Sequence, residues 1–252
     1  MVPASVRAAS ARRPFLLLLH GFGGSGAAIA KHVGLAALAE AERFSYATPD
    51  GALDRSKRRH WSTGASCCDF DRLGVDHVGQ LRSVIDAARA NPAVDPARIY
   101  VAGFSNGGFM AERLACEVPG IAGVLDVAGS SPSDVAACKA PPPGTVIHVH
   151  GDADPTVRVG GGTVLGRSDV APHPAAADAV EGWAKRAGCG TAAPAGTLDL
   201  EASLSDAETT RARHQGCSGR YELWTVAGGG HDIAGAPASF AQLVTTLLSE
   251  GS

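Results

Sequence analysis

The chain has 252 residues, of which 45% are hydrophobic and 19% charged, and its formal net charge is −3. These values are ordinary for a soluble globular protein, and a chain of this length can bury its core as one domain. The negative balance argues against a nucleic-acid partner bound through its phosphates. No apolar run approaches the ~20 residues of a membrane-spanning helix. We therefore expect a single domain over 1–252, a monomer without a nucleic-acid or membrane partner.

The predicted elements alternate along the chain. Apolar runs of strand length are followed by longer, alanine-rich helical patterns, which predicts a mostly parallel sheet with helices on both faces. The predicted strands are Phe15–Leu19, Phe44–Thr48, Arg98–Ala102, Gly123–Val127, Thr145–Val149 and Tyr221–Val226. The predicted helices are Ala27–Ala41, Val75–Ala90, Gly107–Glu117, Ala175–Ala187 and Ser239–Glu250. Most strands are continuously apolar, as strands covered on both faces are.

One stretch interrupts this alternation. Residues 188–220 are rich in Thr, Ser, Asp and Gly, with two short β-like pieces near Leu198–Leu200 and Thr209–Arg213. We interpret the stretch as an excursion on the rim of the domain. Cysteines stand at both of its ends, and the pair Cys189–Cys217 is predicted to form a disulfide that closes its base.

The six cysteines also indicate a compartment. They are even in number and lack metal-site spacing such as Cys-x-x-Cys, so exported protein with disulfides is favoured over six buried free thiols. We expect a secreted or periplasmic protein whose signal peptide is absent from this chain. A second disulfide is predicted between Cys116 and Cys138, because the helix that leaves Ser105 reaches the far end of the sheet near Cys116. The role of the vicinal Cys67 and Cys68 is left open.

The strongest local motif is Gly-Phe-Ser-Asn-Gly-Gly at 103–108. It follows a predicted strand and opens a predicted helix, which is the context of the nucleophile elbow of α/β-hydrolases. The turn is so tight that Gly103 and Gly107 must lack side chains. Ser105 is therefore predicted to be a nucleophile, with the positive end of the following helix favouring an oxyanion nearby.

A second glycine-rich loop, His-Gly-Phe-Gly-Gly-Ser at 20–25, follows the first strand. Glycines let backbone N–H groups approach an oxyanion closely, and the predicted donors are the amides of Phe22 and Asn106. A phosphate-binding loop is the alternative, but the Walker lysine is missing and the dinucleotide-binding fingerprint does not fit. His20 is interpreted as structural.

The other two catalytic residues should follow the serine, the acid before the histidine. Asp152 and Asp154 come just after the strand that contains Ile147, and His231 comes after the last strand within Gly-Gly-Gly-His. Both loops leave carboxyl ends of strands, where functional loops collect in such sheets. Asp126 is a rival acid because it ends an earlier strand. His148 and His150, in the strand and at its exit, are interpreted as structural.

Several motifs in order resemble a known family. They are Leu-His-Gly-x-Gly-Gly-Ser at 19–25, Thr-Pro-Asp-Gly at 48–51, Cys-Cys at 67–68, Gly-Phe-Ser-Asn-Gly-Gly-Phe-Met at 103–110, Arg-Leu-Ala-Cys-Glu at 113–117, His-Gly-x-x-Asp at 150–154 and Gly-Gly-Gly-His at 228–231. The chain is similar to the esterases that include extracellular polyhydroxybutyrate depolymerases and bacterial feruloyl esterases, close to carbohydrate esterase family one. The resemblance implies the α/β-hydrolase fold, hydrolysis of carboxylic esters without cofactor or metal, and Asp154 as the acid.

The chain departs from this family after the histidine. The family usually has Thr-Trp-Pro-Gly there, whereas this chain has Asp-Ile-Ala-Gly at 232–235, so an aromatic residue near the pocket is missing. Only residues 128–144 separate two neighbouring strands where hydrolases commonly insert a lid, and their prolines interrupt any long helix. We expect an open cleft without a large lid, bordered by Trp61, Phe22, Ile233 and the 188–220 excursion.

These residues predict a serine esterase acting on an ester substrate, polymeric or small. An acyltransferase would use the same triad and differ only in whether water or an alcohol receives the acyl group. A non-catalytic binding protein with a hydrolase fold is a third hypothesis. Such proteins usually lose a triad residue, and candidates for all three triad residues are present here.

Overall fold

The computed structural model describes residues 12–205 and 207–249. Its strands are β1 (Arg13–Leu19), β2 (Ser45–Ala47), β3 (Ala52–Leu53), β4 (Arg59–His60), β5 (Val94–Phe104), β6 (Gly123–Val127), β7 (Thr145–Gly151), β8 (Ala192–Leu198), β9 (Thr209–His214) and β10 (Arg220–Val226). Its helices are α1 (Gly26–His32), α2 (Leu35–Ala41), α3 (His77–Ala90), α4 (Asn106–Glu117), α5 (Ala176–Arg186) and α6 (Pro237–Leu248).

Eight strands form one sheet in the order β2-β1-β5-β6-β7-β10-β9-β8. The first six are parallel, and β9 and β8 continue the sheet as antiparallel strands. Each of the six predicted strands overlaps one of the six parallel strands. The short strands β3 and β4 pair with each other outside this sheet. The predicted mostly parallel sheet is confirmed.

Helices cover both faces of the sheet. Along β1, Leu17 and Leu19 pack on one face with side chains of α3, α4 and α5. Leu16 and Leu18 pack on the other face with side chains of α1, α2 and α6. This alternation is the period of two expected of a strand, and both its faces are buried because helices lie on each side.

The helices begin and end close to the predicted positions. Asp76 caps α3 by accepting a hydrogen bond from the backbone N–H of Gly79, and the helix ends at Ala90 with Asn91 as its C-cap. The predicted helix over Ala27–Ala41 is instead two helices, because Gly34 adopts a left-handed conformation with φ of 65° between them. The predicted end of the last helix, Glu250, lies outside the described residues.

The 188–220 stretch differs from the prediction. It is not an excursion outside the sheet but contains β8 and β9, which extend the sheet at one edge. The connection between them returns to the edge that carries the carboxyl ends of the parallel strands. There the Glu208 carboxylate accepts hydrogen bonds from the backbone N–H groups of Leu200 and Glu201.

The six cysteines form three pairs, Cys67–Cys68, Cys116–Cys138 and Cys189–Cys217. The third pair joins the chain just after α5 to the turn between β9 and β10. The second joins the end of α4 to the connection between β6 and β7, whose longest regular piece is one turn of 3₁₀ helix at Val135–Ala137. No lid domain stands on this connection, as predicted. None of the helices in the described ranges has the length and apolar character needed to cross a lipid bilayer.

Candidate active site

Ser105 occupies a strained turn between β5 and α4. Its φ of 53° and ψ of −119° are unusual for a residue with a side chain. A Cβ atom on Gly103 would lie 2.0 Å from the carbonyl oxygen of Gly107, and one on Gly107 would lie 2.2 Å from the carbonyl oxygen of Leu19. Only glycine fits at these two positions. The close packing projects the Ser105 side chain from the carboxyl edge of the sheet, which is the geometry of a nucleophile elbow.

His231 joins the serine to an acid. Its Nε2 atom lies 2.9 Å from Ser105 Oγ, and its Nδ1 atom lies 2.7 Å from Asp154 Oδ2. The Ser105 residue is 9% exposed and the His231 side chain 17% exposed, so both are partly accessible to solvent. The arrangement provides a hydroxyl, a base within hydrogen-bonding distance and a carboxylate that orients the base.

Asp154 is held by several donors besides His231. Its Oδ1 atom accepts hydrogen bonds from the backbone N–H groups of Thr156 and Val157. Burial by itself raises the pKa of Asp154, but hydrogen bonds from His150 and His231 outweigh it and hold that pKa well below its usual value. The acid is therefore ionised at neutral pH and can stabilise a protonated His231.

The two rival acids point elsewhere. Asp152 Oδ1 accepts a hydrogen bond of 2.7 Å from the backbone N–H of Gly228, which fixes the glycine-rich loop before the histidine. Asp126 is fully buried beneath the elbow, with its Oδ2 atom 3.3 Å from His148 Nδ1. Of the three acids that the sequence left open, the structure brings only Asp154 to His231.

The backbone N–H groups of Phe22 and Asn106 donate no hydrogen bond to any described residue. They flank the serine from two directions, one on the loop after β1 and the other at the start of α4. Two free amides at these positions match what an oxyanion hole needs. The Asn106 side chain is tied to Trp61, whose backbone N–H and carbonyl oxygen it pairs with at 2.7 and 2.9 Å.

The prediction that Trp61 borders an open cleft is wrong. The residue is 1% exposed, and its indole Nε1 donates to the carbonyl oxygen of His20 at 2.9 Å. A side chain buried to this extent holds the loop of Asn106 in position and does not border an open cleft. Ile233 is also buried, 2% exposed, but it lines a cavity beside the triad.

Apolar groups surround the serine on two sides. On the side of Phe22 lies a cluster that also contains Phe70, Phe109 and the Cys67–Cys68 disulfide. On the side of Ile233, a cavity of about 310 Å³ lies against Phe104, whose ring centroid is 5.2 Å from that of His231. The rest of its lining is mostly apolar, with Leu18, Ile29, Val33, Val127 and Phe240, and it includes two polar side chains, His32 and Asp232.

Three histidines near the site have structural partners. The Nε2 atom of His20 accepts a hydrogen bond from the backbone N–H of Gly51, which joins two loops. His148 and His150 stack on each other at 5.2 Å between ring centroids and bond through Nε2 and Nδ1 at 2.9 Å. His150 also reaches Asp154, with 3.4 Å between Nε2 and Oδ2. The sequence interpretation missed this contact, although two histidines two residues apart in a strand must face the same side.

Comparisons with known proteins agree with this geometry. Three solved structures share the fold at a TM-score of 0.58: SOBER1 of Arabidopsis thaliana (15% identical, 94% of this chain and 100% of that one), esterase PE8 (16% identical, 94% of each chain) and an acetyl xylan esterase from Aspergillus awamori (14% identical, 88% and 85%). At such identities the similarity shows the fold alone. The chain therefore has the α/β-hydrolase fold, as predicted.

Relatives in sequence indicate which class of enzyme the chain resembles. A protein of Nocardia uniformis subsp. tsuyamanensis named "Putative esterase NocK" is 33% identical over 240 residues, covering 88% of this chain and 66% of the relative. Feruloyl esterase B of Piromyces equi is 28% identical over 181 residues (68% and 31%). Poly(3-hydroxyalkanoate) depolymerase C of Paucimonas lemoignei is 28% identical over 125 residues (47% and 28%). No family model matches the chain.

The chain has the α/β-hydrolase fold and is similar in sequence to esterases that include a feruloyl esterase and a poly(3-hydroxyalkanoate) depolymerase, which confirms the resemblance found in the sequence motifs. It spans 66% of the length of the first relative and 31% and 28% of the other two.

Proposed function

We propose that this protein is a serine carboxylesterase in which Ser105 is the nucleophile, His231 the general base and Asp154 the orienting acid. One observation carries the proposal: the His231 ring lies between the other two residues, 2.9 Å from Ser105 Oγ and 2.7 Å from Asp154 Oδ2. Hydrogen-bonding distance from nucleophile to base, and from base to orienting group, is the geometry that nucleophilic catalysis requires.

The reaction proceeds through an acyl-enzyme. His231 Nε2 takes the proton from Ser105 as the hydroxyl oxygen attacks the ester carbonyl, and the oxyanion is bound by the amides of Phe22 and Asn106. His231 then donates that proton to the leaving alcohol. Water attacks the acyl-enzyme with His231 again acting as base, and the carboxylic acid is released. Asp154 holds the proton-bearing Nδ1 and stabilises the imidazolium.

The surroundings of the serine favour esters with short or aromatic acyl groups. The cavity beside Phe104 and Ile233 is apolar and of limited volume, about 310 Å³, and no lid covers the site. An open site with a small apolar recess suits one unit of a polyester or an aromatic ester better than a long lipid chain. The names of two relatives, a feruloyl esterase and a poly(3-hydroxyalkanoate) depolymerase, support this range.

The experiment is an assay with p-nitrophenyl acetate, followed by a panel of poly(3-hydroxybutyrate), methyl ferulate and an aromatic polyester. Ser105→Ala and His231→Ala should each lower kcat by more than about 10³-fold while the protein stays folded. Ser133→Ala, an exposed serine in the connection between β6 and β7, is the matched control and should keep full activity. A rate within about tenfold of wild type in either triad variant rejects the triad assignment. Product analysis with an added alcohol separates hydrolysis from acyl transfer.

We also propose that the protein is secreted or exported to the periplasm. The three disulfides fit an oxidising compartment, because cytosolic thiols are kept reduced. Mass mapping of unreduced peptides from the exported protein should recover all three pairs.

A further inference from the structure

A row of buried polar side chains runs inward from the triad. It begins at Asp154 and continues through His150 and His148 to Asp126, all of them buried. The successive contacts are 3.4 Å (Asp154 Oδ2 to His150 Nε2), 2.9 Å (His150 Nδ1 to His148 Nε2) and 3.3 Å (His148 Nδ1 to Asp126 Oδ2). Asp126 and His148 are direct register partners on the neighbouring strands β6 and β7, so their side chains leave the sheet on the same face. The mechanism above uses none of these residues except Asp154.

The backbone carbonyl of Val157 fixes where the protons lie. His150 Nε2 is 2.6 Å from this oxygen, which can only accept, so Nε2 must carry the proton. In a neutral ring the Nδ1 atom of His150 is then an acceptor. His148 Nε2, 2.9 Å away, must be the donor to it, and this leaves His148 Nδ1 as an acceptor facing Asp126.

An ionised Asp126 would not satisfy that acceptor. Asp126 Oδ1 already accepts a hydrogen bond of 2.9 Å from the backbone N–H of Gly129. Its Oδ2 atom and His148 Nδ1 face each other at 3.3 Å, and neither has a hydrogen-bond partner among the described residues. Two facing acceptors repel, whereas a proton on Oδ2 satisfies both atoms. Burial, reinforced by the charge of Glu112, raises the pKa of Asp126 well above its usual value, and burial lowers the pKa of His148, which agrees with a neutral acid beside a neutral ring.

We propose that Asp126, His148 and His150 are positioning residues for the triad, in which a proton held on Asp126 Oδ2 stabilises the histidine tautomers that the Val157 carbonyl requires, so that the His150 Nε2–H is shared between the Val157 oxygen and Asp154 Oδ2. The inference rests on the proposed esterase function. The shorter contact of this N–H is to Val157, and its longer contact, at 3.4 Å, is to the same Asp154 oxygen that His231 Nδ1 contacts, so it helps to hold the carboxylate in the orientation that aligns the base. These residues touch neither substrate nor nucleophile.

A bound cation is the competing account of the inner end of this row. Glu112 on α4 adds a third candidate ligand to Asp126 and His148. One ligand atom of each residue lies within 4.8 Å of the other two. The proton is favoured because the second oxygen of each carboxylate is engaged, Glu112 Oε2 by the indole N–H of Trp183 and Asp126 Oδ1 by Gly129, which leaves a cation only three protein ligand atoms here: Glu112 Oε1, Asp126 Oδ2 and His148 Nδ1. Full burial also leaves no solvent-facing position to complete a coordination shell.

The first test reads the tautomers directly and does not depend on activity. Two-bond ¹H–¹⁵N correlation spectra of histidine-labelled wild-type protein at pH 7 should show His148 and His150 as neutral rings protonated at Nε2, assigned with His148→Gln and His150→Gln. An Nδ1-protonated or cationic ring at either position overturns the proposal. The metal content of the purified protein is measured alongside. A stoichiometric divalent ion that is present in the wild type and lost in an Asp126 variant also overturns the proposal. If the wild type hydrolyses no ester, the proposed function fails while this test still decides the proton positions.

The second test links the row to catalysis. Asp126→Asn keeps a donor toward His148 and an acceptor toward Gly129, whereas Asp126→Ala keeps neither. With p-nitrophenyl acetate, Asp126→Ala should lower kcat about tenfold or more with KM changed less than about twofold, and Asp126→Asn should stay within about threefold of wild type in both. Both variants are assayed at a temperature where circular dichroism shows them folded. Equal losses in the two variants, or no loss in either, contradict the proposal. Should Asp126→Ala not fold, an Asp126→Asn variant with more than about tenfold loss contradicts it alone.

Discussion

Asp154 Oδ2 lies 2.7 Å from His231 Nδ1, while the carboxylate two residues earlier in the same loop faces away from the histidine. Both acids follow β7 and have the same charge, so their difference in role comes from direction alone. Asp154 turns inward because Thr156 and Val157 donate backbone N–H groups to its Oδ1 atom. Asp152 instead caps the loop that precedes His231 by accepting from Gly228.

Asp154→Asn should therefore lower kcat by about 10³–10⁴-fold, because an amide cannot stabilise the imidazolium and favours the wrong histidine tautomer. Asp152→Asn is the matched control and should lose less than about tenfold, since an amide oxygen can still accept from Gly228. Steady-state kinetics with p-nitrophenyl acetate measure both. A larger loss in Asp152→Asn than in Asp154→Asn would show that the acid has been misidentified.

Glu112, the buried acid of α4, should make the stability of the protein depend on pH. Burial raises the pKa of Glu112 to about 7, although the hydrogen bond from Trp183 opposes this shift. A carboxyl whose pKa is raised on folding stabilises the protein below its unfolded pKa, and that contribution is lost as pH rises through the folded pKa. The window therefore runs from about 4.5 upward through about 7.

Glu112→Gln keeps an acceptor for the Trp183 indole and removes the ionisation. Relative to wild type, its free energy of unfolding should rise between pH 5 and pH 8 by on the order of 2 kcal/mol. Urea titrations of both proteins at the two pH values measure this. If the difference between variant and wild type is the same at pH 5 and pH 8, Glu112 does not ionise across this range in the way proposed.

The Cys189–Cys217 disulfide should contribute to stability mainly through the unfolded chain. It closes a loop with a sequence separation of 28 residues. Replacing both cysteines by alanine should lower the free energy of unfolding by about 3 kcal/mol or somewhat more. It should leave kcat near wild type, because Cys217 precedes β10, at the edge of the sheet opposite the carboxyl edge that carries Ser105. Urea denaturation of the double variant, beside the Cys116→Ala/Cys138→Ala double variant as a comparison of similar loop length, tests this. A loss below about 1 kcal/mol would show that the loop is held by its strands alone.

The sequence predicts the parallel strands and the triad for the same reason. Continuous apolar runs mark strands covered on both faces, and glycine-rich motifs mark the turns that follow them. Of the two β-like pieces predicted in the 188–220 stretch, the one near Thr209–Arg213 falls within β9, whereas β8 has a proline and mostly exposed side chains, so no apolar period marks it as an edge strand. The prediction that Trp61 borders the cleft is wrong, because the burial of this side chain depends on its pairing with Asn106, 45 residues later.

The inner polar row also escapes prediction from the sequence. Whether Asp126 faces His148 depends on the register between β6 and β7, and a shift of one residue would turn the two side chains to opposite faces. The sequence does show an acid within an otherwise apolar strand and two histidines within the next strand. Such residues are rarely buried without partners, which is a signal that they meet.

The last prediction concerns the length of the acyl group. The cavity beside Phe104 is lined in part by α1, through Ile29. We expect fast hydrolysis of acetyl to hexanoyl and benzoyl p-nitrophenyl esters and weak hydrolysis of long acyl chains. Because no lid covers the site, emulsified lipid should produce no jump in rate at the interface.

Ile29→Trp tests whether this cavity receives the acyl group. The larger side chain fills the recess from the side opposite the elbow, so the Ser105–His231–Asp154 contacts are left in place. The rate with hexanoate or benzoate should fall about tenfold relative to acetate, whereas Ala27→Trp, on an exposed position of the same helix, should keep the wild-type ratio. An unchanged chain-length profile in Ile29→Trp would place the acyl group on the Phe22 and Phe70 side of the serine. A strong preference of the wild type for long-chain triglyceride would instead reveal an acyl tunnel that opens only on binding.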